Sequence, residues 1–161
     1  MKFVKMEGLG NDFVVLEGPL EPTPEQVVAW CDRRRGIGAD GVLVATPVDD
    51  GRVRMAYWNA DGGRAEMCGN GLRCVARFAY ERTWTDGRSF VVQTDLGDYP
   101  VKVRKSGRVR AMLGTAVGPD DTTMAVVGTD VHPMSMGNPH AVLFVENTNE
   151  APVKSLGPVI E

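Results

Sequence analysis

The alternation of hydrophobic and polar positions near the N-terminus predicts two short strands followed by a helix. Apolar runs over residues 3–6 and 12–17 flank a polar, glycine-rich turn that exposes Asn11. The segment Thr23-Pro24-Glu25-Gln26 then combines an N-cap threonine, a proline at the first helical position and a glutamine three residues after the cap. This combination predicts a helix over residues 24–34, ended by the next glycine.

The middle of the chain predicts two further strands and a longer helix. Residues 42–45 form a continuous apolar run, and residues 53–58 mostly alternate between apolar and polar side chains. From residue 70 to about residue 83 the apolar positions follow helical spacing, with Arg77 and Glu81 as an intrahelical pair on the opposite face. We expect this helix to bury one apolar stripe.

A run of strands follows that helix. Residues 90–94, 99–104 and 108–113 have strand character and are separated by short turns that contain glycine. Short turns between consecutive strands favour an antiparallel meander.

A domain boundary is predicted shortly after this meander. Residues 118–121 read Gly-Pro-Asp-Asp, a composition typical of a connection, and strand-like segments resume at residues 125–129 and 141–145. We therefore expect one domain over residues 1–117 and the incomplete beginning of a second over residues 118–161.

Composition is that of an ordinary globular protein. The 161 residues are 43% hydrophobic and 24% charged, which is enough apolar material to bury a core. The net charge is −3, so the chain lacks the excess of basic residues that is typical of nucleic-acid-binding proteins. No run approaches the roughly 18 apolar residues that cross a bilayer, and the N-terminus lacks the apolar segment of a signal peptide. These features predict a cytoplasmic protein with no nucleic-acid or membrane partner.

The three cysteines are expected to be free thiols in different environments, because their odd number and spacing do not fit a disulfide framework. Cys31 and Cys74 lie within helical patterns, where cysteine behaves as a small buried hydrophobe. Cys68 lies just before the second helix, where unsatisfied N–H groups and the helix dipole favour a thiolate or a bound carboxylate. Its position alone leaves a reactive thiol and loop packing both open.

Two other kinds of site do not fit their context. Residues 36–41 match the dinucleotide fingerprint G-x-G-x-x-G, but they follow a helix and lead into a strand, the reverse of what that motif requires. Cys68 and Cys74 are too widely spaced for a zinc knuckle, and His132 and His140 do not form a helical ligand pair. We predict a helix C-cap and tight turn at residues 36–41, and no metal site.

Asparagines in loops bounded by glycine or proline are candidates for ligand binding. Asn11, Asn59, Asn70 and Asn138 would serve turns if they act separately. If they converge on one pocket they would suit a zwitterionic ligand, since each amide offers both a donor and an acceptor. His140 follows this last asparagine closely, although a single loop histidine is more often structural or solvated than catalytic.

Taken together, five segments resemble the diaminopimelate epimerase family and occur in family order. They are KMEGLGNDF at residues 5–13, GIGAD at 36–40, WNADG at 58–62, MCGNGLRC at 67–74 and SMGNPH at 135–140. Proline racemases of related fold follow the motif cysteine with Gly-His, and phenazine-pathway isomerases lack the cysteine. Asn70 and Asn11 favour the epimerase family.

The resemblance implies an α+β fold and an enzyme without a cofactor. The fold would be a diaminopimelate epimerase-like lobe, with a curled, mostly antiparallel sheet around a central helix, plus the opening strands of a second similar lobe. The enzyme would interconvert LL- and meso-diaminopimelate, its small-molecule substrate, in lysine and peptidoglycan precursor biosynthesis. A thiolate on one face of the α-carbon would remove a proton while a thiol on the other face delivers one.

The resemblance also assigns roles to residues. Cys68 would be one of the two acid/base thiols, and His140 would tune the thiol pKa values. The residues expected to bind substrate are Asn11, Asn59, Gly69, Asn70 and Asn138. Gly69 and Asn70 would donate to the α-carboxylate at the helix N-terminus, where the developing negative charge is best stabilised.

Two departures from the family pattern bear on activity. Gly41 stands where some members carry a glutamine that contacts substrate. The family's second cysteine lies in an Ala-Cys-Gly-Thr-Gly type motif of the second lobe, and that motif does not occur in these 161 residues. We therefore expect the chain to carry one thiol, to need a C-terminal lobe for the other and to be inactive alone, with a homodimer left open. The alternatives are a proline racemase-like isomerase and a non-catalytic small-molecule-binding fragment.

Overall fold

The chain forms two compact units in the computed structural model, which describes residues 1–118, 123–136 and 139–160. The first unit is Met1–Met112 and the second is Leu113–Glu161. The domain bounds proposed from the sequence, and the identification of the second segment as the opening of another lobe, stay predictions.

A long mixed sheet makes up most of the first unit. Its elements are β1 (Val4–Gly8), β2 (Asn11–Glu17), α1 (Pro24–Cys31), β3 (Gly41–Pro47), β4 (Val53–Asn59), β5 (Arg64–Ala65), α2 (Gly69–Glu81), β6 (Ser89–Gln93), β7 (Asp98–Val103) and β8 (Val109–Ala111). The strands lie in the order β1-β2-β3-β4-β6-β7-β8, and β5 pairs with β4 at one end. The pairs β2–β3 and β4–β6 are parallel and the others are antiparallel, including the predicted meander of β6, β7 and β8.

Helix α2 lies at the centre of this unit. It contacts strands from β1 at one edge of the sheet to β8 at the other, which requires the sheet to curl around it. Its buried stripe includes Leu72, Val75 and Ala79, while Arg77 and Glu81 form the predicted ion pair on the opposite side. The predicted α+β fold, with a curled and mostly antiparallel sheet around a central helix, is confirmed.

Helix α1 covers the other face of the sheet. Its Val27 and Cys31 pack in a cluster with Val42, Val44 and residues of β2 and β4. Leu43 projects to the opposite side, against α2, as the alternation of side chains along a strand requires.

The capping box of α1 is present as predicted, since Thr23 accepts from the Gln26 N–H and the Gln26 side chain accepts from the Thr23 N–H. The predicted end at residue 34 is wrong, because the helix ends at Cys31. The Asp32 carboxylate accepts from the N–H groups of Arg34 and Arg35 at 2.7 and 2.9 Å. This local turn competes with further helix.

The second unit contains a small antiparallel sheet and a helix. Its elements are β9 (Met124–Val126), β10 (Thr129–Ser135), β11 (Pro139–Val142) and α3 (Val153–Ile160), and the strands lie in the order β11-β10-β9. The predicted strand over residues 125–129 is wrong, because Val127 and Gly128 adopt positive φ values of 51° and 73° and turn the chain between β9 and β10. The sequence did not predict β10 or α3, and α3 includes Gly157 and Pro158, which ordinarily oppose a helix.

Among the described residues there is no helix long and apolar enough to cross a membrane. Those residues also contain no group of three or more His, Cys, Asp or Glu side chains placed to hold a metal ion.

Candidate active site

Cys68 is the N-cap of the central helix, so the predicted location just before the helix is confirmed. Its backbone is extended, with φ −142° and ψ 114°, and its Sγ accepts from the Gly71 N–H at 3.4 Å. The sulfur therefore occupies the place that a serine or threonine hydroxyl takes in an ordinary cap. Cys68 is half-buried, in contrast to the two other cysteines, which are buried.

The start of α2 lies close to both β3 and the end of β1. A Cβ on Gly71 would lie 2.9 Å from Leu43 Cδ2, so only a glycine allows this distance between the first helical turn and β3 without rearrangement. A Cβ on Gly8 would lie 3.4 Å from the Asn70 carbonyl oxygen and 3.6 Å from Cys74 Sγ. The turn between β1 and β2 therefore lies against the N-terminal turns of the helix.

This turn brings Asn11 to the thiol. Leu9 and Gly10 adopt φ values of 59° and 83°, which close a tight hairpin, and Asn11 then starts β2 opposite Gly8. The Asn11 side-chain Nδ2 donates to Cys68 Sγ across 3.9 Å. The structure thus joins two of the candidate residues, which are 57 positions apart in the sequence.

Asn59 lies at the same end of the sheet. It is the last residue of β4 and is paired with Gly41, which is also the partner of Phe13 in β2. Because Phe13 is two residues after Asn11, both asparagines lie at the strand ends that border this site. Asn59 is exposed, and its Oδ1 accepts from the Tyr57 hydroxyl at 2.7 Å.

Gly69 and Asn70 form the first turn of α2, where backbone N–H groups lack helical partners. The Asn70 Oδ1 accepts a hydrogen bond from the Arg73 guanidinium one turn later. Since arginine can only donate, this contact fixes which side of the amide is oxygen and leaves Nδ2 to donate elsewhere. The first turn thus offers amide and backbone donors beside Cys68.

Two predicted site residues belong to the C-terminal part of the chain. Asn138 lies outside the described residues. His140 lies in β11 of the second unit, opposite Met134 in the strand register, and its side chain is exposed. The roles expected for Asn138 and His140 stay predictions.

Cys31 and Cys74 are free thiols of a different kind. They are only 5% and 3% exposed, as expected for small buried hydrophobes, and this prediction is confirmed. Burial raises the pKa of the Cys31 thiol. Burial, with a smaller effect of the charge at Cys68, raises the pKa of Cys74 to about 11. Both are therefore protonated in the neutral range.

An ion-pair network supports the strand that carries Asn11. Asp12 binds Lys5 and the Arg33 guanidinium, and Arg33 also binds Asp40 at 2.7 Å. The Asp40 N–H donates to the Asp12 carbonyl at 2.9 Å, which attaches the tight turn before β3 to the start of β2. The Arg33 guanidinium and the Lys5 ammonium hold the pKa of Asp12 well below its usual range.

The sequence identified the turn at residues 36–41 but not the network that fixes it. Gly38 has a φ of 79°, and the N–H groups of Ile37 and Gly38 both donate to the Trp30 carbonyl, so the chain turns here as predicted. The predicted helix C-cap at these residues is wrong, because the C-cap of α1 is Asp32. The lysine, the arginine and two aspartates of the network are far apart in the chain. A charge pattern alone could not pair them.

Tyr57 is a second residue that the sequence did not single out. It is 7% exposed, and burial together with the nearby negative charges at Cys68 and Asp40 raises its pKa. The strand pattern places Tyr57 among apolar residues, and only the folded structure reveals the partner of its hydroxyl.

The first 118 residues match a known family. The sequence model described as "Diaminopimelate epimerase" matches residues 3–118. A curated relative from Moorella thermoacetica, named diaminopimelate epimerase, is 40% identical over all of this chain and 66% of its own length. A relative of the same name from Alkalilimnicola ehrlichii is 42% identical over all of this chain and 65% of its own length. The chain thus spans about 65% of the length of these curated relatives.

Solved structures of low sequence identity share the fold. A probable proline racemase from Agrobacterium radiobacter superposes with a TM-score of 0.66 at 13% identity, covering 96% of this chain and 56% of the other. A phenazine biosynthesis protein of the PhzF family from Bacillus anthracis gives a TM-score of 0.64 at 17% identity, covering 92% and 58% of the two chains. At these identities the likeness is one of fold.

Proposed function

The chain belongs to the diaminopimelate epimerase family, and on that basis we propose that it supplies one half of a cofactor-independent epimerase site for diaminopimelate. The observation that carries the proposal is the contact of the Asn11 amide and the Gly71 N–H with Cys68 Sγ at the N-terminus of α2. The reaction would interconvert the LL and meso isomers in lysine and peptidoglycan precursor biosynthesis.

Cys68 acts in this proposal as a general base or acid at the α-carbon. As a thiolate it takes the α-proton, so that an S–H bond forms and the C–H electron pair remains on the substrate as a carbanion conjugated with the carboxylate. The Asn11 amide and the Gly71 N–H stabilise the sulfur while it is charged. In the reverse direction the Cys68 thiol returns a proton to the same face.

The first turn of α2 binds the α-carboxylate in this scheme. Negative charge increases on the substrate as the proton leaves, and N–H groups directed at that position stabilise the transition state more than the ground state. Gly69 and Asn70 lie in this turn, and the Asn70 amide is oriented by Arg73. Asn11 and Asn59 border the same end of the sheet, and with Asn138 they would bind the remaining polar groups of the substrate.

Inversion requires a second acid/base on the opposite face of the α-carbon. Cys31 and Cys74 are unsuited to this role, because both are buried and protonated in the neutral range. We propose that the second thiol comes from a C-terminal lobe of the family type and that His140 adjusts the thiol pKa values. The 161 residues alone would then not invert diaminopimelate efficiently.

Formation of the meso isomer from LL-diaminopimelate in heavy water tests this proposal. LL-Diaminopimelate incubated with the chain is expected to form no meso isomer above the background seen with Cys68→Ala. Efficient stereoinversion by the unmodified 161-residue chain would overturn the two-thiol scheme.

Binding tests the substrate assignment separately. In an NMR titration with meso-diaminopimelate we expect shifts at the Asn11, Asn59 and Asn70 side-chain amides and at the Gly69 N–H. The Asn11→Ala variant should bind more weakly, whereas Asn149→Ala, which alters an exposed asparagine of the second unit, should bind as the unmodified chain does. Equal or tighter binding of proline would contradict the assignment and favour a proline racemase-like protein.

A further inference from the structure

The hydroxyl of a buried tyrosine donates a hydrogen bond to Asn59, an exposed residue that is a candidate for substrate binding. Tyr57 is 7% exposed, and its hydroxyl donates to Asn59 Oδ1 at 2.7 Å. The two residues are separated by one position in β4, so their side chains lie on the same face of the strand. Asn59 itself is exposed at the strand end. The hydrogen bond therefore links the interior of the unit to the edge of the site.

Two neighbouring residues determine the position of the Tyr57 ring. Phe13 packs edge-on against it with ring centroids 5.9 Å apart. On the neighbouring strand, Gly41 leaves the space that the ring uses, since a Cβ there would lie 2.6 Å from Tyr57 Cε2 and 3.2 Å from its hydroxyl. Any side chain at position 41 would displace the ring. The position of the Tyr57 hydroxyl therefore depends on the absence of a side chain at Gly41.

This arrangement decides which atoms Asn59 offers to a ligand. The tyrosine hydroxyl donates to Oδ1 and so fixes the orientation of the amide, which leaves the Nδ2 group, a donor only, to bind elsewhere. A carboxylate is the matching partner for such a donor. Without the hydroxyl, the amide can rotate and present either of its ends.

We propose that Tyr57 is a positioning residue that orients the Asn59 amide as a donor to a carboxylate of an amino-acid substrate. The orientation of the Asn59 amide is observed in the structure of the free chain. The identity of the ligand rests on the proposed function. Burial raises the pKa of Tyr57, so the hydroxyl remains protonated and able to donate throughout the neutral range.

The variant Tyr57→Phe tests the proposal because it removes the hydroxyl and keeps the ring. Its matched control is Tyr99→Phe, the same deletion in β7. In the ligand-free chain, the Asn59 side-chain NH₂ signal, assigned by its loss in Asn59→Asp, should become more mobile in Tyr57→Phe and stay unchanged in Tyr99→Phe. Binding of meso-diaminopimelate should weaken by about 2- to 10-fold in Tyr57→Phe, the range for loss of one neutral hydrogen bond.

A double-mutant cycle separates positioning from a general structural effect. If Tyr57 acts through Asn59, then Tyr57→Phe added to Asn59→Ala should change the affinity no further. An equal loss of affinity in both backgrounds would overturn the proposal, as would an unchanged Asn59 signal in Tyr57→Phe. Failure of the unmodified chain to bind meso-diaminopimelate would contradict the proposed function, and the Asn59 signal would still support or overturn the positioning role.

Discussion

The side-chain nitrogen of Asn11 lies 3.9 Å from the sulfur of Cys68. A tight hairpin places the asparagine, and the N-cap position of α2 places the cysteine. Gly71 donates its N–H to the same sulfur from the helix side at 3.4 Å. Two independent elements thus direct donors at one thiol, an arrangement that suits a sulfur which becomes negatively charged.

Removing the Asn11 amide should slow the reactions of the Cys68 thiolate. We expect Asn11→Ala to lower the rate of Cys68 alkylation by iodoacetamide at neutral pH by about 3- to 10-fold, the effect of losing one hydrogen bond of ordinary strength. The rate is measured by mass spectrometry of the Cys68 peptide over time. Asn149→Ala is the control and should react at the unmodified rate. An Asn11→Ala variant that reacts as fast as the unmodified chain would show that the amide does not stabilise the thiolate.

The three thiols should differ sharply in reactivity. Cys74 is 3% exposed with a pKa raised to about 11, and Cys31 is 5% exposed with a raised pKa. Because a raised pKa keeps a thiol protonated until the pH approaches that value, both should be nearly inert at pH about 8. Peptide mapping after brief iodoacetamide treatment should find Cys68 modified at least about ten times faster than either. Comparable labelling of Cys74 in folded protein would contradict the packing described for α2.

Replacing Gly41 by alanine should destabilise the fold. A Cβ there would lie 2.5 Å from the Trp58 carbonyl oxygen and 2.6 Å from the Tyr57 ring, so β3 and β4 must separate. We expect Gly41→Ala to lower the free energy of unfolding by about 1–3 kcal/mol, measured by urea denaturation.

Gly87 provides the matched control for that substitution. It is exposed, and a Cβ there would have no neighbour within 4 Å. Gly87→Ala should change the free energy of unfolding by no more than about 1 kcal/mol, in the stabilising direction if at all. Equal effects of the two substitutions would show that the space at Gly41 is not restricted.

The Asp12 network should make stability depend on acid pH. The pKa of Asp12 is lowered in the folded chain by Arg33 and Lys5, with Asp40 also hydrogen-bonded to it. A lowered pKa means that the folded state is stabilised above the unfolded pKa of about 3.9, and that this contribution is lost as the pH falls below it.

The comparison of Asp12→Asn with the unmodified chain measures this contribution. The difference between their urea midpoints should be constant from pH about 7 to about 5 and should shrink towards pH about 3. Asp98→Asn, which alters an exposed carboxylate of β7, is the control and should leave the midpoint nearly unchanged. A difference that grows as the pH falls would contradict the assigned ion pairs.

Local sequence signals predicted much of the first unit. The capping box of α1, the period of α2 and the meander of β6 to β8 all depend on residues close together in the chain. The second unit was predicted less well, because Gly157 and Pro158 within α3 oppose the structure they adopt. A turn at Val127 also interrupts a run of apolar residues that suits a strand.

The sequence names candidate site residues but not the residues that position them. Cys68, Asn11, Asn59 and Asn70 were recognised from motifs, and the structure places all of them in the first unit near the N-terminus of α2 or the strand ends beside it. The hydroxyl of Tyr57 and the space left by Gly41 could not be predicted, because they depend on the register between β3 and β4. Register is a long-range property that neither propensity nor period encodes.

Labelling with an aziridine analogue of diaminopimelate tests the central claim most directly, namely that Cys68 is an acid/base thiol directed at this substrate. The account predicts one label per chain, mapped to Cys68, slowed by added meso-diaminopimelate and absent in Cys68→Ala, while Cys74→Ala labels normally. Labelling that persists unchanged in Cys68→Ala, or that added diaminopimelate does not slow, would contradict it.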